Sequence, residues 1–242
     1  LKKRIDLALV EGGFYESVDM ARRGLMAGLV SVNGHVVAKP GTTILPDDVL
    51  TVAQKEKYVG RGGYKLEGAL AHFGVNPRGL VCIDVGASTG GFTDCLLQHG
   101  AAFVYAIDVG HSQISWRLQQ DPRVESREGV NARYLDAKDF DPRPVLAVGD
   151  VSFISLTQIL PAVFGVLASG SEGIFLIKPQ FEAERADVEE GGIVRDPEVR
   201  MRCVEKIQKF VDAAGHEWLG AIESSITGRD GNIEYLAHFR CT

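Results

Sequence analysis

The chain reads as an α/β protein, with a mostly parallel sheet that carries an antiparallel strand at one edge and a small α+β unit in front of it. Three observations predict this. Apolar runs of strand length alternate with helical patterns from residue 65 to the end. One strand passes through glycines into a helix, as Asp84-Val-Gly-Ala-Ser-Thr-Gly-Gly-Phe92. The first 58 residues follow another rhythm, two helical patterns and then strands.

In order along the chain, a helical pattern from Lys3 carries Ile5, Leu7, Leu9 and Val10 and breaks at Gly12-Gly13. Ser17 can cap a second helix bearing Met20, Ala21, Leu25 and Met26, which runs to about Gly28. Residues 29–37 alternate around Asn33-Gly34, a hairpin signal. Pro40-Gly41 turns the chain, and 49–52 reads as a last short strand. Residues 59–64 lie in a basic, glycine-rich stretch, 55–64, and read as a linker between unit 1–58 and unit 65–242. A helix is expected over 65–73. Strands are expected at 80–84, 103–108, 123–127, 145–150, 173–178, 217–223 and 234–240. Helices are expected at 92–99, 112–119, 156–168 and 197–214, and the last two strands pair antiparallel at an edge. The acidic stretch 181–199, with Gly191-Gly192, reads as a mobile loop.

Composition bounds the function. With 45% hydrophobic and 24% charged residues the chain is of ordinary globular type. No apolar run approaches the ~18 residues of a membrane helix, no secretory signal is visible, and the sequence begins at Leu1 rather than Met. Cys82, Cys95, Cys203 and Cys241 are scattered and the six histidines form no ligand cluster, so no metal site is expected and a reducing cytoplasm is the simplest compartment. The net charge of −6 hides an asymmetry. Residues 1–65 hold 10 Lys and Arg against 7 Asp and Glu, while 66–242 hold 16 against 25. Such a split marks a binding module joined to something else.

A strand ending in an acid and turning through glycines is a nucleotide-cofactor site, because without a Cβ the backbone approaches the ligand closely. The loop is not Gly-x-Gly-x-x-Gly, and no Lys follows its last glycine. Asp84 places a negative charge at the mouth, which repels a pyrophosphate and suits a cation. S-adenosylmethionine, with its sulfonium and ammonium, fits better than NAD or ATP. Asp84, Gly86, Ser88, Thr89, Gly90 and Phe92 are the loop candidates. Asp108, ending the next strand, is placed to bind a ribose diol. Asn131 is read either as a contact to the adenine edge or as a helix N-cap.

Arg4-Ile5-Asp6, Ser17…Ala21-Arg22-Arg23…Gly28, Val30-Ser31-Val32-Asn33-Gly34 and Asp47-Asp48 resemble the S4 RNA-binding module. Tyr64-Lys65-Leu66, the 84–92 loop, Gly149-Asp150-Val151-Ser152-Phe153-Ile154-Ser155-Leu156, Ile177-Lys178-Pro179-Gln180-Phe181 and Gly228-Arg-Asp-Gly-Asn-Ile-Glu234-Tyr235 resemble the TlyA family. Its members are called haemolysins or rRNA 2′-O-methyltransferases and have a catalytic domain of the FtsJ type. The resemblance implies a Rossmann-like S-adenosylmethionine-dependent methyltransferase sheet, methyl transfer to a ribose 2′-hydroxyl of ribosomal RNA, cytidine as target, and ribosomal RNA or ribosomal subunits as partners. It maps a catalytic Lys-Asp-Lys-Glu tetrad onto Lys65, Asp150, Lys178 and Glu234.

The residues support that mapping independently. Asp150 ends the run 145–149 and Lys178 ends 174–177, and sites form at the carboxyl ends of strands in such sheets. A lysine there holds the developing oxyanion or accepts the proton. Lys3, Arg4, Arg22 and Arg23 are the candidates for RNA phosphates, with Arg61 beside them. Two competing readings are a membrane-active haemolysin, which the absence of a membrane span or strongly amphipathic basic helix opposes, and a non-catalytic RNA-binding assembly factor, which the presence of all four tetrad residues opposes.

Overall fold

A computed structural model describes residues 2–53, 56–228 and 230–242. Leu1, Lys55 and Arg229, which fall in stretches read above, lie outside the described residues. The chain divides into two compact units, 1–57 and 58–242.

In the smaller unit, strand β1 (Lys3–Arg4) leads into helix α1 (Ile5–Glu11), and α2 (Val18–Met26) follows. The Ser17 side chain accepts the Met20 N–H, the expected cap. Ile5 and Leu9, then Ala21 and Leu25, lie four apart and bury one face of each helix, while Leu7, Met20 and Met26 stay exposed. β2 (Val30–Val32) and β3 (His35–Val36) form the expected hairpin, with Asn33 at φ 50° and Gly34 at φ 81°. Two positive φ values match the twist of the flanking strands. β5 (Leu50–Val52) pairs with β2. Helical periodicity from Lys3 was an overreach by two residues: Lys3 and Arg4 pair with β4 (Thr43–Ile44), a partner some 40 residues away that local pattern cannot reveal.

In the larger unit, helix α3 runs Gly62–Phe73, three residues earlier than expected. Residues 59–64 belong to this unit rather than to a free linker: Tyr58 is buried in its core, and the Val59 N–H bonds Asp94. Strand β6 (Val81–Val85), helix α4 (Gly91–Gln98), strand β7 (Phe103–Ile107), helix α5 (Trp116–Gln119), strands β8 (Val124–Arg127) and β9 (Leu146–Gly149), helix α6 (Leu160–Val166), strand β10 (Glu172–Ile177), helices α7 (Pro179–Glu182) and α8 (Pro197–Ala213), and strands β11 (Glu217–Glu223) and β12 (Tyr235–Arg240) complete it. The sheet order is β11-β12-β10-β9-β6-β7-β8. Only β12 runs against its neighbours, pairing antiparallel with both β10 and β11.

Strand alternation sorts the core into two faces. Ile83, Val85, Tyr105, Ile107, Ala147, Phe175 and Ile177 pack with Leu160 and Val163 of α6 and Val204 and Ile207 of α8. Cys82, Val104, Ala106, Leu146, Val148, Ile174 and Leu176 pack with Leu66 and Leu70 of α3 and Leu96 of α4.

Two expected helices are shortened, each because side chains claim the backbone. The Glu128 carboxylate accepts the N–H groups of Ser112 (2.7 Å) and Gln113 (3.0 Å), so 112–115 is loop and only Trp116–Gln119 is helical. At 156–168, a 3-10 turn over Leu156–Gln158 is capped by Ser155 before α6 begins. The 181–199 stretch is pinned: Glu182 and Val194 are buried, and the Val194 N–H bonds Asn232 Oδ1 at 2.9 Å.

Candidate active site

Strand β6 has β7 on one side and β9 on the other, so chain order reverses beside it. This is where an open α/β sheet leaves a crevice beyond its strand ends. A cleft of about 280 Å³ lies there, lined by Gly62, Lys65, Gly86 to Thr89, Gly91, Phe92, Asp150, Ser152, Lys178, Gly228 and Glu234. All four tetrad candidates therefore meet in one place, although they come from α3, the ends of β9 and β10, and the start of β12.

They form two ion pairs. Lys65 Nζ donates to Glu234 Oε2 at 2.6 Å, with the two side chains 9% and 3% exposed. Lys178 Nζ lies 2.6 Å from Asp150 Oδ1 and donates to Ser152 Oγ at 2.7 Å. Pairing offsets the desolvation that a buried lysine or carboxylate would otherwise suffer. Gly228 makes room for Glu234, because a Cβ there would stand 2.6 Å from Oε1.

Of the loop candidates, Gly86, Ser88, Thr89 and Phe92 line the cleft. Gly86, at φ +83°, packs so closely on the Asp150 carbonyl that a Cβ would come within 2.6 Å of it. The other candidates act from behind. Asp84 is not at the mouth: it is fully buried under α4 and accepts the Thr93 hydroxyl at 2.6 Å. Burial pushes its carboxyl up to about 7, and nearby Asp150 adds to the rise against the Thr93 hydrogen bond, which lowers it. Gly90, the N-cap of α4 at φ +95°, presses on Leu118 rather than facing the cleft. Asp108 fastens the loop by accepting the Ser88 and Gly110 N–H groups, each at 2.7 Å. Asn131 accepts the Arg133 N–H at 3.1 Å and so has the N-cap geometry.

Sequence reasoning missed Ser152 and Phe153. Phe153 holds φ +64° and is 90% exposed, with its ring centroid 5.2 Å from that of Phe181. A non-glycine aromatic in the left-handed region, left in solvent, is a costly conformation kept for a reason. No periodic signal announces it.

The proposed RNA contacts divide between the units. Arg4 and Arg22 both bond the buried Asp6 carboxylate, Arg4 at 3.1 and 2.7 Å and Arg22 at 3.0 Å. Lys3 pairs with Glu11, and Arg23 Nε donates to the Asp19 carbonyl. Arg61 belongs to the larger unit, where it reaches the Thr227 carbonyl at 3.3 Å and precedes the cleft residue Gly62.

The glycine-walled cleft at the switch point, with its two lysine–carboxylate pairs, suits a nucleotide-type cofactor. The protein is a methyltransferase that uses S-adenosylmethionine. The chain belongs to the FtsJ-like methyltransferase family, whose model matches residues 58–241, and the S4 domain model matches residues 3–50. Hemolysin A of Brachyspira hyodysenteriae is 46% identical, over 98% of this chain and 99% of its own. The 16S/23S rRNA (cytidine-2′-O)-methyltransferase TlyA of Mycobacterium tuberculosis is 40% identical, over 99% and 90%. Among solved structures, a Streptococcus thermophilus chain described as a candidate hemolysin has a TM-score of 0.76 at 45% identity, covering 100% of this chain and 89% of its own.

The half-buried Gly86 and the exposed Ser88 and Thr89, which line the cleft together, fit a bound adenosyl cofactor. When bound, S-adenosylmethionine supplies an electrophilic methyl group.

Proposed function

We propose that this protein transfers a methyl group to a ribose 2′-hydroxyl of ribosomal RNA, with cytidine in 16S or 23S rRNA as the target class. The observation that carries the reading is Lys178 Nζ, held between Asp150 and Ser152 in the cleft that the glycine loop also lines. An ammonium has three N–H groups. Its two partners leave at least one for an acceptor oxygen. A ribose hydroxyl is a poor nucleophile, so it must be held in line and relieved of its proton as the O–C bond forms. To take that proton Lys178 Nζ first passes one of its own to the Asp150 carboxylate, 2.6 Å away, and once recharged it holds the remaining oxyanion character. Asp150 fixes its orientation. Lys65 and Glu234 line the same cleft as a second pair, and Phe153 with Phe181 offers a ring face for a base drawn out of its stack.

Lys3, Arg4, Arg22, Arg23 and Arg61 supply phosphate contacts in this reading, and Asp108 and Asn131 the contacts to ribose and adenine. The relatives named as rRNA methyltransferases support it, and the S4 domain supports ribosomal RNA or a ribosomal subunit as partner. Ribosomal RNA in turn implies the cytoplasm.

Labelled S-adenosylmethionine, incubated with isolated ribosomal subunits, should yield a 2′-O-methylated cytidine on nuclease digestion. Label on a base, or none, refutes the reading. The name of the Brachyspira relative raises membrane lysis as the alternative. Among the described residues no helix is long and apolar enough to cross a membrane. Vesicle leakage without S-adenosylmethionine would favour lysis.

A further inference from the structure

Glu182 is a buried carboxylate that the chemistry above does not use. Its side chain is 1% exposed. Oε1 accepts the Leu156 N–H at 2.6 Å and Oε2 accepts the Ser155 hydroxyl at 2.6 Å. Lys206 of α8 donates to Oε2 at 2.9 Å and to the Glu182 carbonyl at 2.8 Å. Ser155 in turn contacts the Thr157 hydroxyl at 2.9 Å and caps the 3-10 turn that follows.

What these bonds join is specific. Ser155 and Leu156 close the loop after β9, which begins at Asp150 and contains Ser152 and the left-handed Phe153. Glu182 closes α7, which begins directly after Lys178 and contains Phe181. The two loops meet twice more, at Lys178 with Asp150 and Ser152 and at Phe181 with Phe153. The carboxylate therefore ties together the two segments that carry the acceptor side of the cleft, and Lys206 anchors both to the long helix behind. A strained φ persists only where its surroundings over-determine it. Three donors converging on a buried acid provide that constraint next to Phe153. A neutral hydrophobic contact would pack as well at lower desolvation cost, but would not fix the directions of donors on the loop after β9 and on α8.

We propose that Glu182 is a positioning residue for methyl transfer: it sets the distance between the Asp150–Ser155 loop and Lys178, and so places Nζ against the acceptor hydroxyl. This rests on the proposed function. Glu182→Gln keeps the shape but presents an amide N–H to groups that are themselves donors. Expected results are a fall in kcat of tenfold or more per folded molecule, with S-adenosylmethionine Kd within twofold of the parent, and faster amide hydrogen exchange over 152–156 with 84–92 unchanged. Ser155→Ala, which removes one of the three donors to Glu182 together with the cap on the 3-10 turn, should shift the same quantities less and covers the case in which Glu182→Gln does not fold. Unchanged kcat in folded variant, or a fall explained wholly by lost cofactor affinity, overturns the proposal. A parent without methyl transfer refutes the proposed function instead. Hydrogen exchange then decides alone: unchanged protection over 152–156 overturns the positioning role, and selective loss of it upholds the role as a property of the fold.

Discussion

The smaller unit and the cleft of the larger one both hold cations on carboxylates, and they do so to opposite ends. In the smaller unit Asp6 is fully buried, yet the Arg4 and Arg22 side chains it holds remain 49% and 44% exposed. At the cleft of the larger unit the lysine of each pair is itself drawn in, Lys65 to 9% and Lys178 to 12%. A guanidinium left in water with spare donors suits a spread of phosphates, where many weak contacts add up. An ammonium withdrawn from water suits a single atom, because its field is less screened there. The same pairing of cation with carboxylate thus yields an exposed surface in one place and the proposed reactive centre in the other, and solvation makes the difference.

The largest expected effect tests the reactive centre. Lys178→Ala should lower kcat roughly 10³-fold, by the scale of losing one group aimed at developing charge, with S-adenosylmethionine affinity unchanged by calorimetric titration. Equal methyl incorporation would remove Lys178 from its role. Glu234→Gln should leave Lys65 without its buried anion and cost about 3 kcal/mol in urea denaturation. A change below about 1 kcal/mol, the scale of exposed pairs, would mean that the pair is solvated like those of the smaller unit.

Asp84 sharpens the contrast through pH. Its folded pKa, about 7, stands above that of an ordinary carboxyl, so the native state holds the proton more tightly. The stabilisation is complete below the unfolded pKa of about 4 and is lost as pH rises through about 7. Asp84→Asn should raise Tm at pH 8 by roughly 2–4 °C, a gain that disappears toward pH 4. Asp6 has the opposite sign. The Arg4 hydrogen bond, working against burial, holds its carboxyl below the usual range, so its contribution is full at neutral pH and fades as pH falls below about 4. The smallest effect belongs to the surface. Arg22→Ala should weaken RNA binding evenly across sequences and reduce the salt slope by about one, leaving kcat at saturating RNA unchanged. An altered kcat would place Arg22 in the chemistry rather than on the surface.

Much of this was legible in the sequence, because local signals act over a few residues. The Asn33-Gly34 hairpin, the Ser17 cap, the seven strands of the larger unit and the strand-end positions of Asp150 and Lys178 all follow from periodicity, turn chemistry and chain order. The tetrad was mapped by family resemblance, since Lys65 and Glu234 look ordinary in isolation. Three-dimensional packing decided the rest. It buried Asp84 instead of exposing it, turned Gly90 onto Leu118 and set Asp108 to fastening the glycine loop. It also gave residues 59–64 to the larger unit and fixed Phe153 in a left-handed conformation. Each of these depends on which distant group fills a neighbouring space or claims a donor, and a linear pattern carries no record of that. What the sequence determined by itself was the order of elements and the residues available to the site. Only the tertiary structure decided which charges meet, which are buried, and which backbone holds them there.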